Sequence, residues 1–343
     1  MREFKDFIIK MTEIKKMNHV LVTGGAGFIG AYLVKRLIDM NVRVTIVDNL
    51  QDVGGISYVH PKANFINADI CDTSLYLQLK KLNIDTVYHL AAQSAGEPAY
   101  DDPKFDILTN SYGTYLIAKF CKDNNVARLI YTSTVAVYGN SIDGILDENS
   151  KISPDSIYGV SKYSGEMFIK QMLHNSQTKY TIFRVFNTYG PGENLNFQKK
   201  GMASIYIGFV WKKEPICIKG SLDRYRDFTF IDDNVDALIS CHAKPISFGE
   251  VYNLSSGKKT FVKDLVKSIL IAFNLPLDYK VVELPNTPGD SFGFHSNPDK
   301  IKRHLDWDPK MELTDGLKEY YKWVNVIPVI DKLDNYHPFV MRI

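Results

Sequence analysis

The order of apolar and polar positions along the chain follows two periods. Short apolar runs alternate with longer segments in which apolar residues recur every three or four positions. The runs at 19–22, 42–47, 86–92, 128–134 and 180–186 predict buried strands, and the longer segments predict helices. Strands that alternate with helices are typical of a parallel sheet covered on both faces. The pattern therefore predicts an α/β fold built on a doubly wound parallel sheet.

A glycine-rich turn follows the first predicted strand. Residues 23–30 read Thr-Gly-Gly-Ala-Gly-Phe-Ile-Gly, and a helical pattern follows. Gly25 and Gly27 allow the backbone to turn tightly beside a pyrophosphate, and Gly30 lets the helix pack close to the strand. The free amide groups and the positive dipole end of the helix then point at the anion. Strand, turn and helix together predict a Rossmann-type site for a dinucleotide.

The second predicted strand ends on Asp48. An acidic residue at about this distance along the chain from the glycine turn meets the adenosine ribose. Its carboxylate accepts hydrogen bonds from the 2′-hydroxyl and repels a 2′-phosphate, and no nearby arginine favours NADP. The predicted cofactor is therefore NAD rather than NADP.

Composition and charge narrow the class of protein. The 343 residues carry a formal net charge of +2, which gives no general attraction to nucleic acid or to a membrane surface. Four cysteines without CxxC spacing are typical of core residues in a reducing compartment, not of a metal site or a disulfide framework. No apolar run is long enough to span a bilayer, and the first residues lack a signal-peptide cleavage site. We expect a cytoplasmic protein without a metal.

The pattern of predicted strands and helices changes beyond Asn187. Short strand and helix patterns mix there with glycine and proline, which predicts a smaller α+β lobe that binds the substrate. The domain organisation that we predict comprises a dinucleotide-binding domain at 18–186 with a return segment near 228–252, a second lobe at 187–227 and 253–324, and extensions at 1–17 and 325–343.

Candidate catalytic residues lie on a later helical pattern and on the strand before it. Tyr158 and Lys162 are four residues apart, which places them on one face of a helix. A lysine cation favours the phenolate of a nearby tyrosine, whose pKa is ordinarily near 10. Such a tyrosine can take a proton from a sugar hydroxyl while hydride leaves the same carbon. The strand at 128–134 ends in three hydroxyl residues, and one of them can orient the reacting oxygen.

These motifs, in this order, closely resemble the extended short-chain dehydrogenase/reductase family, and within it the NAD-dependent nucleotide-sugar epimerase/dehydratase group. The resemblance covers about His19 to Val324. It implies that Thr134, Tyr158 and Lys162 are catalytic. The cofactor-binding residues that it implies are Gly24, Gly27, Phe28, Ile29, Gly30, Asp48, Asn49, Asp69, Ile70, Leu90, Ala91, Ala92, Gln93, Asn110, Tyr158 and Lys162. The implied substrate contacts are Ser94, Thr134, Asn187 and Arg226.

Three positions depart from the patterns of the group. Many sugar epimerases carry an arginine where Thr287 stands, so one diphosphate contact is expected to be missing or replaced; this position lies outside the residues that the structure describes. Dehydratases and decarboxylases that resemble this chain carry a glutamate where Ala136 stands, so the elimination chemistry lacks its usual acid or base. Glu97 replaces an arginine that is common in epimerases of sugar acids, which argues against an anionic sugar. We therefore expect a 4-epimerase that acts on a nucleotide-diphosphate sugar through transient oxidation at C4.

Three alternatives stay open at the level of sequence. A C4 dehydrogenase that releases the keto sugar would use the same residues, and a 4,6-dehydratase is less favoured. A chain that only binds NAD, as a scaffold or redox sensor, would have no chemical need for Thr134, Tyr158 and Lys162 together.

The long apolar helices predicted at Pro103–Lys122 and Tyr158–Leu173 indicate a homodimer, because similar helices in the family pair across a two-fold axis.

Overall fold

The computed structural model describes residues 17–51, 55–140, 145–196, 199, 201–286 and 291–330. In this part of the chain, seven parallel strands form one sheet in the order β12-β7-β5-β4-β1-β2-β3. Their bounds are β1 His19–Thr23, β2 Arg43–Asp48, β3 Asn64–Asn67, β4 Thr86–His89, β5 Arg128–Thr134, β7 Lys179–Val185 and β12 Glu250–Leu254. Both β1 and β5 are buried along their whole length, as strands covered on both faces must be. The predicted fold class is confirmed.

Helices cover both faces of this sheet. Their bounds are α1 Phe28–Asp39, α2 Thr73–Leu79, α3 Gly96–Asp101, α4 Pro103–Ile107, α5 Thr114–Asp123, α6 Ile157–Leu173, α7 Met202–Trp211, α8 Ile231–Ser240, α9 Val262–Ala272, α10 Asp299–Leu305 and α11 Leu313–Ile330. Leu33 and Leu37 of α1 pack in one apolar core with Val20 of β1, while Leu21 of β1 faces a second core with Ile117 of α5. The alternation of apolar residues along β1 thus divides its side chains between two layers.

The long helix predicted at Pro103–Lys122 is not a regular α-helix. A π-helical turn at Leu108–Gly113 separates α4 from α5. The turn buries Asn110, whose amide donates to the carbonyl of Gln93 at 3.0 Å, and a Cβ on Gly113 would lie 2.6 Å from Ile70. The helix widens where an inward polar side chain and a close contact must both be accommodated, and π turns are frequent at functional sites.

The smaller lobe consists of short pairs of strands with helices. The remaining strands are β6 Ile145–Leu146, β8 Asn187–Tyr189, β9 Ile216–Lys219, β10 Tyr225–Arg226, β11 Phe228–Phe230, β13 Thr260–Phe261, β14 Val281–Leu284 and β15 His295–Ser296. Parallel pairs form between β8 and β11 and between β9 and β14, whereas β10 and β13 are antiparallel.

The division into two domains stays a proposal, and the observed elements refine its limits. The return segment predicted near 228–252 contains β11 and α8, but only its last strand, β12, joins the main sheet and continues to Leu254. Helix α11 runs through the limit that we predicted at residue 324. Residues 1–16 and 331–343, the greater part of the two predicted extensions, lie outside the described residues.

Candidate active site

A cavity of about 1010 Å³ lies at the carboxyl ends of the parallel strands, where ligands bind in open α/β sheets. It extends from the glycine turn, past the end of β5, to β10 in the smaller lobe. The predicted site residues that line it are Gly24, Gly27, Phe28, Ile29, Gly30, Asp48, Asn49, Asp69, Ile70, Leu90, Ala91, Ala92, Gln93, Ser94, Thr134, Tyr158, Lys162, Asn187 and Arg226. Asn110 is the predicted residue that does not line it.

The glycine turn at one end of the cavity has the geometry of an anion cradle. Gly24 has φ +72°, and a Cβ at this position would lie 2.5 Å from the backbone nitrogen of Ala91. Only glycine fits between β1 and the segment after β4. Among the described residues, no side chain caps the first amide groups of α1, and its first turn carries no acidic residue. These amides therefore face the cavity as donors suited to a phosphate.

Asp48 lies at the end of β2 beside this turn. One of its carboxylate oxygens accepts from the amide of Ala26 at 3.0 Å, and the other accepts from the amide of Leu50 at 2.9 Å. The next residue, Asn49, donates at 3.1 Å to Asp69, which follows the neighbouring strand β3. The two backbone contacts fix the orientation of the Asp48 carboxylate at the cavity edge, where a ribose would meet it.

The predicted catalytic residues meet at the centre of the cavity. Thr134 is the last residue of β5, and Tyr158 lies in the first turn of α6, one turn before Lys162. A Cβ on Gly159 would lie 2.5 Å from the carbonyl oxygen of Ala136, so glycine lets the start of α6 approach the turn after β5. This close approach brings the Tyr158 phenol near the hydroxyl of Thr134, which accepts from the amide of Ala136 at 3.2 Å. The neighbouring Ser133 instead donates to buried Glu166 at 2.7 Å.

Burial dominates the proton affinities of the catalytic pair. It raises the pKa of Tyr158 to about 12, although the hydrogen bond with Thr134 acts in the opposite direction. Burial lowers the pKa of Lys162 to about 7, and the carboxylates of Asp106 and Glu166 oppose this shift. In the protein without ligands the pKa of Tyr158 is thus raised because the residue is buried, and the lowering of this pKa by Lys162 stays a prediction.

Asn110 lies behind the cavity wall. Besides the carbonyl of Gln93, its amide nitrogen contacts Asp106 Oδ1 and Ser161 Oγ, each at 3.1 Å. Ser161 in turn donates to the carbonyl of Tyr158 at 3.0 Å. The side chain of Gln93 closes on the backbone of Ala95, which shapes the cavity wall. Asn110 thus connects the segment after β4 to the helix that carries Tyr158.

The other end of the cavity holds Arg226 and Asn187. Arg226 is buried and donates to the carbonyls of Tyr225 and Ser291, each at 2.8 Å. Its neighbour Asp227 accepts from backbone amides of Ser256 and Gly257, so Asp227 braces the lobe. The buried Oδ1 of Asn187 has no hydrogen-bond partner among the described residues. A guanidinium and an amide at one cavity wall suit the oxygens of a diphosphate.

Several cavity residues escaped the sequence analysis. Buried Arg224 lines the wall near Arg226, and Lys219 on β9 forms a 2.8 Å ion pair with Glu97 on α3. The pair offsets the negative charge of Glu97, which weakens the argument from this residue against an anionic sugar. Arg224 stands two positions before Arg226, directly ahead of β10, and this spacing was a signal that could have identified it.

A buried ion pair lies beneath the catalytic helix. Glu166 accepts from Nε and Nη2 of Arg184 at 3.0 and 2.8 Å, and both side chains are almost fully buried. Arg184 also donates to the hydroxyl of Tyr138 at 3.0 Å. These contacts tie α6 to β7 and to the turn after β5. Because they hold both elements that carry catalytic residues, they support the geometry of the site.

The fold and the site define an enzyme class that moves hydride with a dinucleotide. The sequence model of the family described as GDP-mannose 4,6 dehydratase matches residues 21–320, and the chain belongs to this family, within the extended short-chain dehydrogenases/reductases. The family is NAD-dependent.

The chain is similar to known nucleotide-sugar epimerases over most of its length. A Methanocaldococcus jannaschii protein provisionally named UDP-glucose 4-epimerase is 32% identical, over 89% of this chain and 98% of its own. The structure of UDP-glucose 4-epimerase from Thermotoga maritima with UDP-glucose has a TM-score of 0.86 at 30% identity, over 90% and 99%. The UDP-glucuronic acid 4-epimerase of Bacillus cereus, in complex with UDP-glucuronic acid and NAD, has a TM-score of 0.82 at 26% identity, over 90% and 99%.

Within the described residues, no helix has both the length and the apolar character required to cross a bilayer. The same part of the chain contains no group of three or more histidine, cysteine or acidic side chains that could hold a metal ion.

Proposed function

We propose that this protein is an NAD-dependent nucleotide-sugar 4-epimerase. The observation that carries the proposal is the cavity that Tyr158 and Thr134 share with the glycine turn on one side and with Arg226 on the other. A dinucleotide and a sugar diphosphate each have a matching end of this cavity, and the candidate base lies between them. The similarity to nucleotide-sugar 4-epimerases supports the same function.

The residues at the glycine end fit NAD. The uncapped amides of α1 are donors for the pyrophosphate, and the fixed carboxylate of Asp48 is an acceptor for ribose hydroxyls. A 2′-phosphate would meet that carboxylate as a like charge. When bound, NAD supplies the hydride acceptor and a positively charged nicotinamide ring.

The chain itself supplies proton transfer and orientation. Tyr158 in its phenolate form accepts the proton of the sugar 4-hydroxyl, and Thr134 orients the sugar 4-oxygen by a hydrogen bond. Lys162, in its protonated form, stabilises the phenolate. Arg226 and Asn187 retain the diphosphate while the keto sugar turns over, so that it presents its other face. The proton then returns from Tyr158 to the 4-oxygen.

The residue at position 136 favours epimerisation over elimination. Ala136 lines the cavity beside Thr134 and has only a methyl group, so it can neither donate nor accept the proton that removal of water requires. A C4 dehydrogenase would use the same residues and differs only in the release of the keto sugar. The description of the family names a dehydratase, so loss of water from the sugar is an alternative reaction that product analysis must test.

Product analysis tests the proposal. The purified protein is first examined by mass spectrometry for bound NAD, and is then incubated with UDP-, GDP- and dTDP-sugars. An epimerase converts one sugar to an equilibrium mixture of two C4 epimers without accumulation of free NADH. A dehydrogenase accumulates NADH when NAD is added, and a dehydratase product has lost water. An NAD-loaded protein that changes none of these sugars would contradict the proposed function.

We also propose a homodimer formed through α5, α6 and the π turn. Exposed apolar side chains lie together on this surface: Ile107, Leu108, Tyr112, Val160, Met167 and Phe168. Phe168 contacts Tyr115, and Tyr115 stacks on Tyr112, which makes a continuous aromatic surface. By contrast Leu116, Phe120 and Leu173 are buried within the subunit and contribute to its own core. Exposed apolar patches of this kind mark interfaces.

Light scattering tests the dimer. Phe168→Glu places a charge at the centre of the patch and should shift the measured mass from two chains to one. Leu77→Glu changes an equally apolar and more exposed side chain on α2 and serves as the control, since it should leave the mass unchanged. A monomer mass for the unaltered protein at micromolar concentration would contradict this assignment.

The oxidation state of the cysteines indicates the cellular compartment of the protein. Cys71, Cys121, Cys217 and Cys241 are all free, which fits a reducing compartment such as the cytoplasm. Cell fractionation with a tagged chain tests this placement, and recovery in an oxidising compartment would contradict it.

A further inference from the structure

Backbone carbonyl groups hold Arg226 at the cavity wall. Its Nη1 donates to the carbonyl of Tyr225 at 2.8 Å and to that of Phe292 at 3.3 Å. Its Nη2 donates to the carbonyl of Ser291 at 2.8 Å. Because carbonyl groups carry no net charge, these three bonds place the guanidinium group and do not neutralise it.

The guanidinium group of Arg226 also lies over the aromatic ring of Phe294. Its central carbon, Cζ, is 4.7 Å from the centre of this ring, within the distance at which a ring face attracts a cation. Arg226 is 3% exposed, so little water competes with the ring for the charge. Contacts of this kind are stronger when they are desolvated, and Phe294 therefore stabilises the guanidinium group where it lies.

Phe294 in turn packs in an apolar cluster beside the catalytic residues. Its ring meets that of Phe186 edge to face, with the ring centres 5.8 Å apart and the planes at 80°. The same cluster contains Val135 and Val137, which belong to the turn that directly follows Thr134. Phe294 thus connects the guanidinium group at the far end of the cavity to the turn after β5.

The second residue that we assign to the diphosphate is part of the same arrangement. Asn187 directly follows Phe186, and its backbone amide donates to the carbonyl of Asp227 at 3.1 Å. Asp227 is the residue after Arg226. The two candidate diphosphate ligands are therefore joined once through the backbones of adjoining strands and once through the rings of Phe186 and Phe294.

A second contact between an arginine and a phenylalanine lies away from the cavity. Cζ of Arg128 is 4.4 Å from the centre of the Phe248 ring, and Arg128 is buried as Arg226 is. Arg128 donates to the hydroxyls of Thr181 and Ser247, and both members of the pair lie outside the set of residues that line the cavity. Loss of this ring removes the same kind of contact without a change near the ligand, so Phe248 provides a matched control.

We propose that Phe294 is a positioning residue that holds the guanidinium group of Arg226 in place for the diphosphate of the nucleotide sugar. The ring attracts the cation, and the apolar cluster fixes the ring relative to the turn that carries Thr134. The bound diphosphate and the catalytic residues thereby keep a fixed distance while the keto sugar turns over. This role rests on the proposed function, because it assumes that Arg226 binds the diphosphate.

Calorimetric binding of a nucleoside diphosphate to the full chain in the presence of NAD tests the proposal. UDP, GDP and dTDP are compared, and the one that binds most tightly serves as the probe, without a sugar. Phe294→Leu keeps an apolar side chain and removes the ring, and we expect it to weaken binding of the probe roughly 5- to 30-fold, as the strength of a desolvated cation–ring contact predicts. Phe294→Tyr keeps the ring and should restore the affinity, and the control Phe248→Leu should leave it unchanged.

A double-mutant cycle separates positioning from a general loss of structure. In the Arg226→Met background the guanidinium group is absent, so Phe294→Leu should have no further effect on binding of the probe. A structural defect would instead weaken binding by the same factor in both backgrounds. Should Phe294→Leu not fold, Phe294→Met also removes the ring and carries the same expectation.

Several outcomes would overturn the role of Phe294. They are an unchanged affinity in Phe294→Leu, an equal loss in Phe248→Leu, and additive losses in the double-mutant cycle. Failure of all three nucleoside diphosphates to bind, or an unchanged affinity in Arg226→Met, would overturn it together with the assignment of Arg226 to the diphosphate.

The binding experiment and the product analysis separate this role from the proposed function. Binding of the probe needs no turnover, so it tests Phe294 even if no nucleotide sugar is converted. Conversely, an active epimerase whose affinity for the probe ignores position 294 would retain its function and lose this explanation.

Discussion

Tyr158→Phe is the substitution that most directly tests the catalytic site. It removes one hydroxyl group, that of the phenol near Thr134, and keeps the ring in place at the start of α6. The glycine turn and Asp48 lie at the other end of the cavity and are untouched. We therefore expect a folded protein that binds NAD normally and has lost its proton acceptor.

The expected loss follows from the role of the hydroxyl. A positioned general acid or base contributes about 10²–10⁴-fold to a rate, which corresponds to roughly 3 to 5 kcal/mol in the barrier. The structure favours the upper part of this range, because Ala136 beside Thr134 offers only a methyl group and cannot replace the phenol. Thr134→Val should cost less, since it removes orientation and leaves the acceptor in place.

The pH profile provides an independent check on the same residue. Burial raises the pKa of Tyr158 to about 12 and lowers that of Lys162 to about 7. In the protein without ligands the lysine therefore loses its charge at a lower pH than the tyrosine loses its proton, and the rate can rise and then fall with pH only if bound cofactor reverses this order. Bound NAD adds a positive charge that moves the rising limb to lower pH. Tyr158→Phe should abolish the rising limb.

The assay combines product formation with a count of bound cofactor. Turnover is measured by separation of the two sugar epimers, and NAD content is measured in the same sample after denaturation. Tyr163→Phe, on the same helix and half-buried against a different apolar cluster, is the matched control and should keep full activity. A Tyr158→Phe protein that is folded, loaded with NAD and as active as this control would refute the mechanism.

Three further substitutions test other parts of the structure. Asp48→Ser removes the carboxylate at the ribose end, and the preference for NAD over NADP should fall on the order of tenfold in binding titrations; equal affinities in the unaltered protein would contradict the assignment. Arg226→Ala should weaken binding of a nucleotide sugar roughly 10- to 100-fold and leave NAD binding intact, as calorimetry can show; unaltered sugar binding would exclude the role. Arg184→Met leaves Glu166 buried without its partner and should cost about 3–5 kcal/mol in urea unfolding, most of it recovered in Glu166→Gln/Arg184→Met; a loss below about 1 kcal/mol would show that the pair is not needed.

The sequence was sufficient for the features that depend on local pattern. The alternation of strands and helices predicts the sheet, and the glycine turn predicts the close packing at Gly30, where a Cβ would collide with the backbone of Gly24. The four-residue spacing of Tyr158 and Lys162 is enough to predict that they share one face of a helix. Thr134 could be chosen over Ser133 only by family resemblance, and the structure supplies a physical reason, since Ser133 is engaged by Glu166.

Other features depend on contacts between distant segments and have no local signal. Asp106 and Glu166 stand in helical patterns where acidic residues usually face solvent, yet both are fully buried. The proton affinities of Tyr158 and Lys162 could not be read from their spacing, because desolvation depends on everything packed around them. The π turn likewise follows from what Asn110 and Gly113 contact across the layer, not from the helical periodicity of their own segment.

The position of β12 has a consequence for biosynthesis. This strand covers the outer edge of β7, yet it enters the chain more than sixty residues after β7 ends, and β8, α7 and β9–β11 are made between them. During translation the backbone N–H and C=O groups at this edge of β7 must therefore stay unpaired while part of the smaller lobe is synthesised. A fragment cut at residue 186 would keep that edge open and be prone to aggregation.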